Sequence, residues 1–491
     1  MFEATVAARP PKSTPDRITA WIDLGDSRAI AARATVKDHP GFKDVERRRK
    51  AGELTSPYLS ASSPALLYLP AAAARHFPDR EKIKTLAAKA LSIARERRAG
   101  SLVFPLDAAR SAEAAADVAE GLALRAYRFE KYKKSPTKTH DPAATLVVRP
   151  DDARAATAAV RDRLALCESV NGARDLVNEP GSVATPAEME RRARAVARRG
   201  KLGFKVLDAA QLKKEGYEGL LAVGRGGEVP PRMIVMTYRP ARARSGVHLG
   251  ILGKGITFDT GGVSIKPAAK MWEMKGDMAG AAATIHAMEA IARLKPPLRV
   301  TAVVCTAQNY VDSRSIVPGD IMRARNGKTI HIDNTDAEGR LVLTDGLWRM
   351  GEEKVTHLVD LATLTGAIVR ALGSSLSGAF GNDDFADRVA RIAGDCGEPC
   401  WRMPMVEEYR DLLDCDVADL NNIGSTPNGG AISAALFLRE FVPEGIHWTH
   451  LDIAGTFLVD KGWKYFGAGA TGVMVRTLTG LAEAMASEKR G

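Results

Sequence analysis

Four carboxylates in three short segments are the residues of this chain best suited to chemistry. They are Asp259, Asp277, Asp336 and Glu338, in the segments GKGITFDTGG (253–262), MKGDMAG (274–280) and NTDAEGRL (334–341). Carboxylates packed together without a counter-ion repel one another and raise one another's pKa. Two divalent cations about 3.5–4 Å apart remove that conflict and bind one water, whose pKa they lower. Oxygen-rich ligands suit Mn, Mg or Zn, so the segments predict a site for two metal ions.

Three cationic side chains lie in or beside the same segments. They are Lys254, Lys266 and Arg340. A lysine binds a metal ion only as the neutral amine, which requires burial and neighbouring cations to lower its pKa. Lysine ligation is therefore possible only inside a buried, metal-loaded cluster.

Other interpretations of these segments are weaker. A single Asp beside glycines is commonly a turn residue that bonds to its own backbone, but three intact segments in order favour a metal site. The tripeptide GKT (327–329) resembles the end of a phosphate-binding loop, but that motif requires Gly where the chain has Met322. The sequence contains no HExxH pair, and His331, near the third segment, is expected to be structural.

A strand must bring the first segment into position. The apolar run 248–253, bounded by glycine, predicts a strand directly before Lys254 and Asp259. Glycines let the backbone turn sharply and approach a ligand closely. Both side chains are therefore expected at the carboxyl end of the strand, where open α/β sheets place their sites.

Helical patterns follow the other two segments. Residues 278–294 come directly after Asp277, and residues 341–350 come after the stretch that carries Asp336 and Glu338. Because Asp336 and Glu338 are two positions apart, an extended or looped backbone can direct both at one point.

Strand and helix patterns alternate along the chain, which predicts an α/β fold in two domains. The expected organisation is an N-terminal α/β domain at 1–152, a linking helix region at 153–180 and a larger catalytic α/β domain at 181–491, with a mixed central sheet flanked by helices. The apolar runs 298–305 and 357–361 suit strands covered on both faces. The first domain is expected to contain strands at 102–104 and 145–148, a helix at 111–122 and a surface loop at 131–142.

Length and composition limit the class of protein. At 491 residues the chain is too long for one ordinary core, and its 45% apolar and 26% charged residues are typical of a globular protein. No apolar run approaches the roughly 20 residues of a membrane span. The N-terminus lacks the pattern of a secretory signal, and five cysteines suit reduced thiols. These features predict a cytoplasmic protein that does not enter a membrane.

The chain is basic, with a net charge of +11 from 70 basic and 59 acidic residues. Its densest basic stretch lies within a helix that Thr185 caps, Pro186 begins, Glu188 supports through a capping box and Gly200 ends. The basic residues are Arg191, Arg192, Arg194, Arg198, Arg199 and Lys201. Such a run is usually a solvated helix face. The alternative is a nucleic-acid patch, which would make the chain a DNA-binding accessory protein.

The segments together resemble the leucyl aminopeptidase family, also called cytosol aminopeptidases. NTDAEGRL is that family's signature, and the resemblance runs from about residue 175 to 478. The other matching segments are GKGITFDTGG (253–262), SIKP (264–267), MKGDMAGAA (274–282), DLATLTGA (360–367), ADLNN (418–422), GGA (429–431) and LDIAGT (451–456).

The resemblance implies a role for each site residue and two divalent metal ions, Mn or Zn. The tightly held ion would be bound by Lys254, Asp259, Asp277 and Glu338, and the exchangeable ion by Asp259, Asp336 and Glu338. Lys266 would polarise the scissile carbonyl and stabilise the oxyanion. Arg340 would hold a bicarbonate ion that acts as general base. Met274, Thr363 and Gly366 would line the pocket for the first side chain.

The resemblance also implies substrates and assembly. The substrates would be peptides with a free N-terminus, with leucine and other apolar residues preferred, and the enzyme would be a homohexamer. Gly276 departs from the family, which often has a bulkier residue there; this puts the substrate preference in doubt but leaves every ligand in place. An inactive structural relative is a further alternative, which the intact ligands disfavour.

Overall fold

The structure, a computed structural model, describes residues 3–11, 14–24, 36–106, 111–137, 141–381 and 383–488. The chain divides into two units. The first comprises Met1–Glu168 and Asp460–Ala468, and the second comprises Ser169–Val459 and Gly469–Gly491. The division after Glu168 falls inside the helix Ala153–Asn178, in the region expected to link the domains. Among the described residues, no helix combines the length and apolarity needed to cross a membrane.

A six-stranded sheet organises the first unit. Its strands are β1 (Ala4–Ala7), β2 (Arg17–Asp23), β3 (Tyr58–Leu59), β4 (Ala65–Pro70), β5 (Ser101–Leu106) and β6 (Ala143–Val148). The spatial order is β1-β6-β5-β2-β4-β3, and neighbouring strands are parallel except β3 and β4. The helices are α1 (Phe42–Lys50), α2 (Asp79–Glu96), α3 (Ser111–Ala126) and α4 (Ala153–Asn178), with 3-10 helices at Ala71–Ala74 and Pro150–Asp152.

The elements predicted in this unit are confirmed. The strand predictions correspond to β5 and β6, and the helix prediction corresponds to α3. The expected surface loop shows turns over 131–137, while residues 138–140 lie outside the described part of the chain. Apolar side chains such as Leu86, Phe104, Leu122 and Leu146 are fully buried in the core that joins the helices to the sheet.

A group of buried charges also lies in the first unit. The Lys84 side chain on α2 is 1% exposed, and its Nζ lies 2.9 Å from Glu81 and 3.1 Å from Glu120. Arg163 pairs with Glu120, and Lys464 lies 3.0 Å from Glu81. The whole group, called the Lys84 cluster below, consists of Lys84, Glu81, Glu120, Asp117, Arg80, Arg163 and Lys464.

The second unit is built on an eight-stranded sheet. The strands of this unit are β7 (Gly203–Leu207), β8 (Arg232–Tyr238), β9 (His248–Asp259), β10 (Arg299–Asn309), β11 (Ile321–Arg323), β12 (Thr329–His331), β13 (His357–Ala362), β14 (Ser377–Phe380), β15 (Cys400–Arg402), β16 (Leu420–Asn421), β17 (His447–Asp452), β18 (Leu458–Val459) and β19 (Gly469–Ala470). The large sheet has the order β15-β14-β17-β13-β9-β10-β8-β7; β11, β12 and β16 form a second sheet, and β18 and β19 pair.

Helices cover both faces of the large sheet. They are α5 (Pro186–Gly200), α6 (Ala209–Glu215), α7 (Glu218–Gly224), α8 (Ala279–Leu294), α9 (Glu338–Glu352), α10 (Gly366–Leu372), α11 (Asp384–Asp395), α12 (Gly430–Arg439) and α13 (Val475–Ser487), with 3-10 helices at Met271–Gly276 and Glu407–Leu413. Consecutive residues of β9 face opposite sides: Leu252 lies against Gly346 of α9, and Gly253 lies against Gly280 of α8.

The large sheet is mixed, which confirms the predicted fold class. Strands β17, β13, β9 and β10 are mutually parallel, whereas β14 runs antiparallel to β17 and β8 runs antiparallel to β10. The central strand β9 is therefore hydrogen-bonded on both sides by parallel neighbours, and its carboxyl end meets theirs at one edge of the sheet.

The glycine-rich segment behaves differently from the prediction. The expected strand end at Gly253 is wrong, because β9 continues to Asp259 and holds Lys254 within the strand. The early glycines serve close packing: a Cβ on Gly253 would lie 2.6 Å from the carbonyl oxygen of Gly280 in α8. The backbone turns later, at Gly261 and Gly262, where φ is +89° and +64° and glycine is favoured.

Candidate active site

The four carboxylates meet where β9 ends and two helices begin. Asp259 is the last residue of β9, Asp277 directly follows the 3-10 helix Met271–Gly276, and Glu338 is the first residue of α9. Ligand oxygens of Asp259, Asp336 and Glu338 all lie within 4.8 Å of one another. α9 begins earlier than predicted, at Glu338, since a carboxylate in the first turn is favoured by the helix dipole.

Lys254 is buried within this group of carboxylates. Its side chain is 3% exposed, and its Nζ lies 2.8 Å from both Asp277 Oδ2 and Glu338 Oε1. Nζ also donates a 3.0 Å hydrogen bond to the carbonyl oxygen of Thr363. Burial alone would lower the pKa of Lys254, but Asp277, Glu338 and Asp259 outweigh burial and raise it. The protein groups therefore hold Lys254 as an ammonium ion.

Lys266 lies on the more open side of the same group. Its Nζ lies 2.8 Å from Asp259 Oδ2 and 2.5 Å from Asp336 Oδ1. The side chains of Lys266 and Asp336 are 20% and 32% exposed, which leaves this side accessible to solvent. Burial again lowers the pKa of the lysine, but Asp259 and Glu338 raise it overall. Lys266 is thus a hydrogen-bond donor at the mouth of the cluster.

The carboxylates carry more charge than the lysines balance. Burial and then Asp259 raise the pKa of Glu338 to about 8 against the opposing effect of Lys254. Burial is also the largest cause that raises the pKa of Asp277 to about 6 and the pKa of Asp336 above its ordinary value. Four fully ionised carboxylates would exceed the two ammonium groups by two negative charges, and the raised pKa values reflect this repulsion.

The donor set fits divalent cations. Both carboxylate oxygens of Glu338 are buried and receive no hydrogen bond from the described residues, although Oε1 forms the ion pair with Lys254. A buried carboxylate without donors is costly unless a cation or proton compensates it. Divalent cations provide that compensation, and carboxylate oxygens are suitable ligands for them.

Arg340 extends from α9 into a buried position beside the cluster. Its Nη1 donates a 2.7 Å hydrogen bond to the carbonyl oxygen of Asn422, and the guanidinium lies 5.9 Å from the centre of the Phe437 ring. Its Nε is buried and has no hydrogen-bond partner among the described residues. Burial lowers the pKa of Arg340 to about 10, against Glu338 and Asp452. A small anion would satisfy the free donor and the charge.

The loop after β13 carries part of the site, and Asp452 holds it. Asp452 Oδ2 accepts a 2.7 Å hydrogen bond from Thr365 Oγ1, and Oδ1 accepts one of 3.1 Å from the Leu364 amide. Thr365 Oγ1 in turn accepts from the Ile368 amide and caps α10. The preceding residue, Thr363, is thereby fixed where its hydroxyl donates to Asp277 Oδ1 at 2.7 Å.

The three residues expected to line the substrate pocket differ in exposure. Met274 is half-buried in the 3-10 helix before Asp277, Thr363 is buried, and Gly366 is exposed at the start of α10. A Cβ on Gly366 would meet no atom within 4 Å, so open space adjoins it. At Gly276 a Cβ would lie 2.3 Å from the Phe457 ring. The Phe457 ring thus occupies the space that a bulkier side chain at position 276 would need.

Sequence reasoning missed Asn309, which orients a carboxylate of the site. Asn309 ends β10 beside Asp259 in the register of the two strands. Its Nδ2 donates to Asp259 Oδ1 at 2.8 Å and to the carbonyl oxygen of Thr335 at 3.1 Å. The available signal was its place at the end of the strand next to β9. His331, expected to be structural, is hydrogen-bonded to Asn421 at 2.6 Å.

The basic helix has the form expected of a solvated face. Thr185 accepts the capping hydrogen bond from the Glu188 amide, and α5 ends at Gly200. The carboxylate of Glu188 accepts hydrogen bonds from Arg191 and Arg192. Arg194 pairs with Glu190, and Arg199 pairs with Glu289. Acidic partners thus offset much of the positive charge that would attract nucleic acid.

Two family models match the chain. Residues 171–479 match the catalytic domain of the cytosol aminopeptidase family, and residues 78–136 match its N-terminal domain. The chain belongs to the cytosol aminopeptidase family. It is therefore a hydrolase that acts on peptides as an aminopeptidase, which confirms the resemblance drawn from the NTDAEGRL signature.

Individual relatives agree with this membership. The probable cytosol aminopeptidase of Solibacter usitatus is 44% identical over 447 residues, which cover 90% of this aminopeptidase and 92% of the relative. That of Geobacter sulfurreducens is 43% identical over 397 residues, 80% and 79% of the two chains. The solved structure of the bottromycin maturation enzyme BotP in complex with Mn has a TM-score of 0.83 and 33% identity, covering 96% of this chain and 100% of that chain.

Proposed function

We propose that this aminopeptidase removes leucine and other apolar residues from the N-termini of peptides, with two divalent metal ions per subunit. The observation that carries the proposal is the group of four carboxylates, three of them buried, whose charge when fully ionised exceeds that of Lys254 and Lys266 by two. Mn and Zn are the proposed metals, and the Mn complex of the related BotP supports Mn. The metal ions, when bound, supply the positive charge that polarises a peptide carbonyl and lowers the pKa of water.

The residues proposed to hold the metal ions are those that already lie together. One ion would be held by Lys254, Asp259, Asp277 and Glu338, and the other by Asp259, Asp336 and Glu338. Lys254 must lose a proton before it can act as a ligand, because an ammonium group has no lone pair. Metal binding is therefore expected to release a proton and to weaken at low pH.

Lys266 is proposed to act on the scissile carbonyl. Its raised pKa keeps it an ammonium ion at neutral pH, and its partial exposure lets the Nζ donors reach a substrate. A cationic donor beside the carbonyl oxygen stabilises negative charge that develops there in the transition state. The ion pairs with Asp259 and Asp336 hold this donor in place.

Arg340 is proposed to hold bicarbonate. The support is its buried Nε, which lacks a hydrogen-bond partner among the described residues, beside a guanidinium that is favoured for planar oxyanions. Bicarbonate, when bound, supplies a general base, and within the described part of the chain the site offers no histidine or uncommitted carboxylate for that role. Met274, Thr363 and Gly366 are proposed to line the pocket for the N-terminal side chain, with space beside Gly366 for leucine.

The assembly and location belong to the same proposal. We also propose a cytoplasmic homohexamer acting on peptides with a free N-terminus, as the sequence resemblance to the family implies. Light scattering after size-exclusion chromatography would test the hexamer, and a monomer at micromolar concentration would contradict it.

The test of the function is hydrolysis of leucine p-nitroanilide with Mn or Zn, before and after chelation. Activity is expected with metal, loss after chelation, and recovery when metal is returned. A matched substrate with an acetylated α-amino group should not be cleaved. Protein that stays inactive with every divalent metal would contradict the proposal.

A further inference from the structure

A cavity of about 430 Å³ lies in the first unit, at the carboxyl-terminal ends of α2 and α3. Its lining includes Arg95, Arg125, Arg128, Phe129 and Gly467. It belongs wholly to the first unit and shares no residue with the metal cluster.

Two of the basic groups in this lining already have partners. Arg95 Nε lies 2.5 Å from Asp141 Oδ1, and its Nη groups donate to the last carbonyl oxygens of α3, where the helix dipole favours a cation. Lys133 pairs with Glu130 at 2.7 Å. These contacts give Arg95 and Lys133 a structural role, so neither residue needs a ligand in the cavity.

The other two arginines have no carboxylate partner among the described residues, although Arg125 lies in the last turn of α3, where the helix dipole also favours a cation. Arg125 is half-buried, and its Nε donates a 2.9 Å hydrogen bond to the neutral hydroxyl of Ser92. Burial, then Arg95 and Arg128, lower the pKa of Arg125. Among the described residues, neither Arg125 nor Arg128 forms an ion pair with a carboxylate. Burying a cation without a partner costs free energy, so the cavity favours an anion from solution.

Gly467 borders the guanidinium of Arg125, and an added Cβ there would be in van der Waals contact with Nη1, at 3.6 Å. The space beside the guanidinium is that of the cavity itself, about 430 Å³. A guanidinium presents parallel N–H donors that match two oxygens of a phosphate or carboxylate group. Glu96 also lines the cavity and offsets part of this charge, but two guanidinium groups still leave the lining positive and can share the oxygens of one phosphate group.

We infer that this cavity binds a phosphate group, held by Arg125 and Arg128, in a site separate from the metal centre. The group comes from free phosphate or from a phosphomonoester, and the ring of Phe129 in the lining offers a surface on which a nucleobase can stack. Inorganic phosphate and AMP are therefore the two probes.

The experiment measures the thermal unfolding of the full, metal-loaded chain with and without 10 mM inorganic phosphate at constant ionic strength. For a millimolar site, phosphate is expected to raise the unfolding temperature of the wild type by about 1–2 °C. Arg125→Gln and Arg128→Gln should lose most of this rise. Arg97→Gln, an exposed arginine near the end of α2 that does not line the cavity, is the matched control and should retain it.

Phosphate can also contact metal ions, and the variants separate the two effects. Because Arg125 and Arg128 lie outside the metal cluster, leucine p-nitroanilide hydrolysis should be unchanged in both variants, which also reports correct folding. Tenfold tighter binding of AMP than of phosphate, measured by calorimetry and lost in Arg125→Gln, would identify a phosphomonoester site; equal affinities would identify free phosphate. An absent shift in the wild type, or an equal shift in all variants, overturns the inference.

Discussion

Two lysines, one in each unit of the chain, are buried between carboxylates, and their surroundings differ. Lys84 lies 2.9 Å from Glu81 and 3.1 Å from Glu120, whereas Lys254 lies 2.8 Å from both Asp277 and Glu338. Both side chains are 3% exposed or less. Distance and burial alone do not distinguish a structural ion pair from a catalytic centre.

The balance of charge distinguishes them. The three acids of the Lys84 cluster face four cations, so each carboxylate has a positive partner. The four acids of the metal cluster face two lysines, and the oxygens of Glu338 receive no hydrogen bond from the described residues. We therefore expect the first group to have a structural role and the second, as proposed, to bind divalent cations from solution.

The sharpest test neutralises one acid in each cluster. Glu338→Gln is expected to lower kcat/KM for leucine p-nitroanilide by about 10²–10³-fold, because it removes a proposed metal ligand. Its metal-free unfolding temperature should not fall, since the change relieves repulsion. Glu120→Gln should instead lower the free energy of unfolding by about 3–5 kcal/mol, because it leaves buried cations unpaired.

Activity of the folded Glu120→Gln protein at low temperature is the control and should match the wild type. The proposed difference between the two clusters is contradicted if Glu338→Gln unfolds the protein while Glu120→Gln leaves the unfolding temperature unchanged.

Asp345 extends the comparison to a buried acid without a cation. Burial raises its pKa to about 7 from 3.8, although the backbone amides of Leu220 and Gly219 oppose the shift. The folded state then binds an extra proton between about pH 4 and pH 7, so its contribution to stability is present at low pH and is lost as pH rises. Asp345→Asn should therefore raise stability at pH 8 by about 2–4 kcal/mol and leave it unchanged at pH 4. Thermal unfolding of both proteins between pH 4 and pH 8 measures this effect. An equal difference in stability between variant and wild type at pH 4 and pH 8 would contradict the raised pKa of Asp345.

Asp452 tests whether an acid outside the metal cluster affects catalysis by holding the loop that carries Thr363 in position. Asp452→Asn removes the acceptor for Thr365 Oγ1 and loosens the loop that fixes Thr363. We expect kcat/KM to fall about 10-fold, with a larger change for leucine than for alanine substrates because the pocket lining moves. Bound metal, measured by mass spectrometry of the purified protein, should stay at the wild-type ratio. An equal loss for both substrates would point to a general structural effect.

The exposed pair of Arg191 and Glu188 should have the smallest effect. Arg191 is 66% exposed, and surface ion pairs of this kind contribute about 0–1 kcal/mol. Arg191→Gln should shift the free energy of unfolding by less than about 0.5 kcal/mol. The same variant tests the nucleic-acid alternative: a mobility shift that is seen at low salt and is lost in the variant would revive it.

The sequence predicted which side chains come together better than it predicted the backbone that carries them. The cluster could be expected because Asp259, Asp277 and NTDAEGRL lie in intact segments whose chemistry converges. The extent of β9 could not, because Gly253 favours a turn locally and becomes part of a strand only when α8 packs against it. The contact between Lys254 and the Thr363 carbonyl oxygen joins residues far apart in sequence, and no local pattern indicates it.

Asn309 was missed for a related reason. A single asparagine at a strand end has no signature, and its role depends on the register that pairs it with Asp259. Thr335, whose carbonyl oxygen accepts a hydrogen bond from Asn309, connects the first and third segments of the site in the same way, through a 2.7 Å hydrogen bond from its hydroxyl to the carbonyl oxygen of Gly261.

The glycines at which α8 and α9 approach the central sheet have a consequence for how this enzyme tolerates substitutions. A Cβ on Gly280 would lie 2.2 Å from the carbonyl oxygen of Leu361, and one on Gly339 would lie 2.7 Å from Lys254 Nζ. The distances between the ligand side chains thus depend on these glycines, because any larger residue would push the neighbouring elements apart. A chain with a methyl group added here can keep its overall fold and still lose the spacing that metal binding needs, so inactive but folded variants should be common at these glycines.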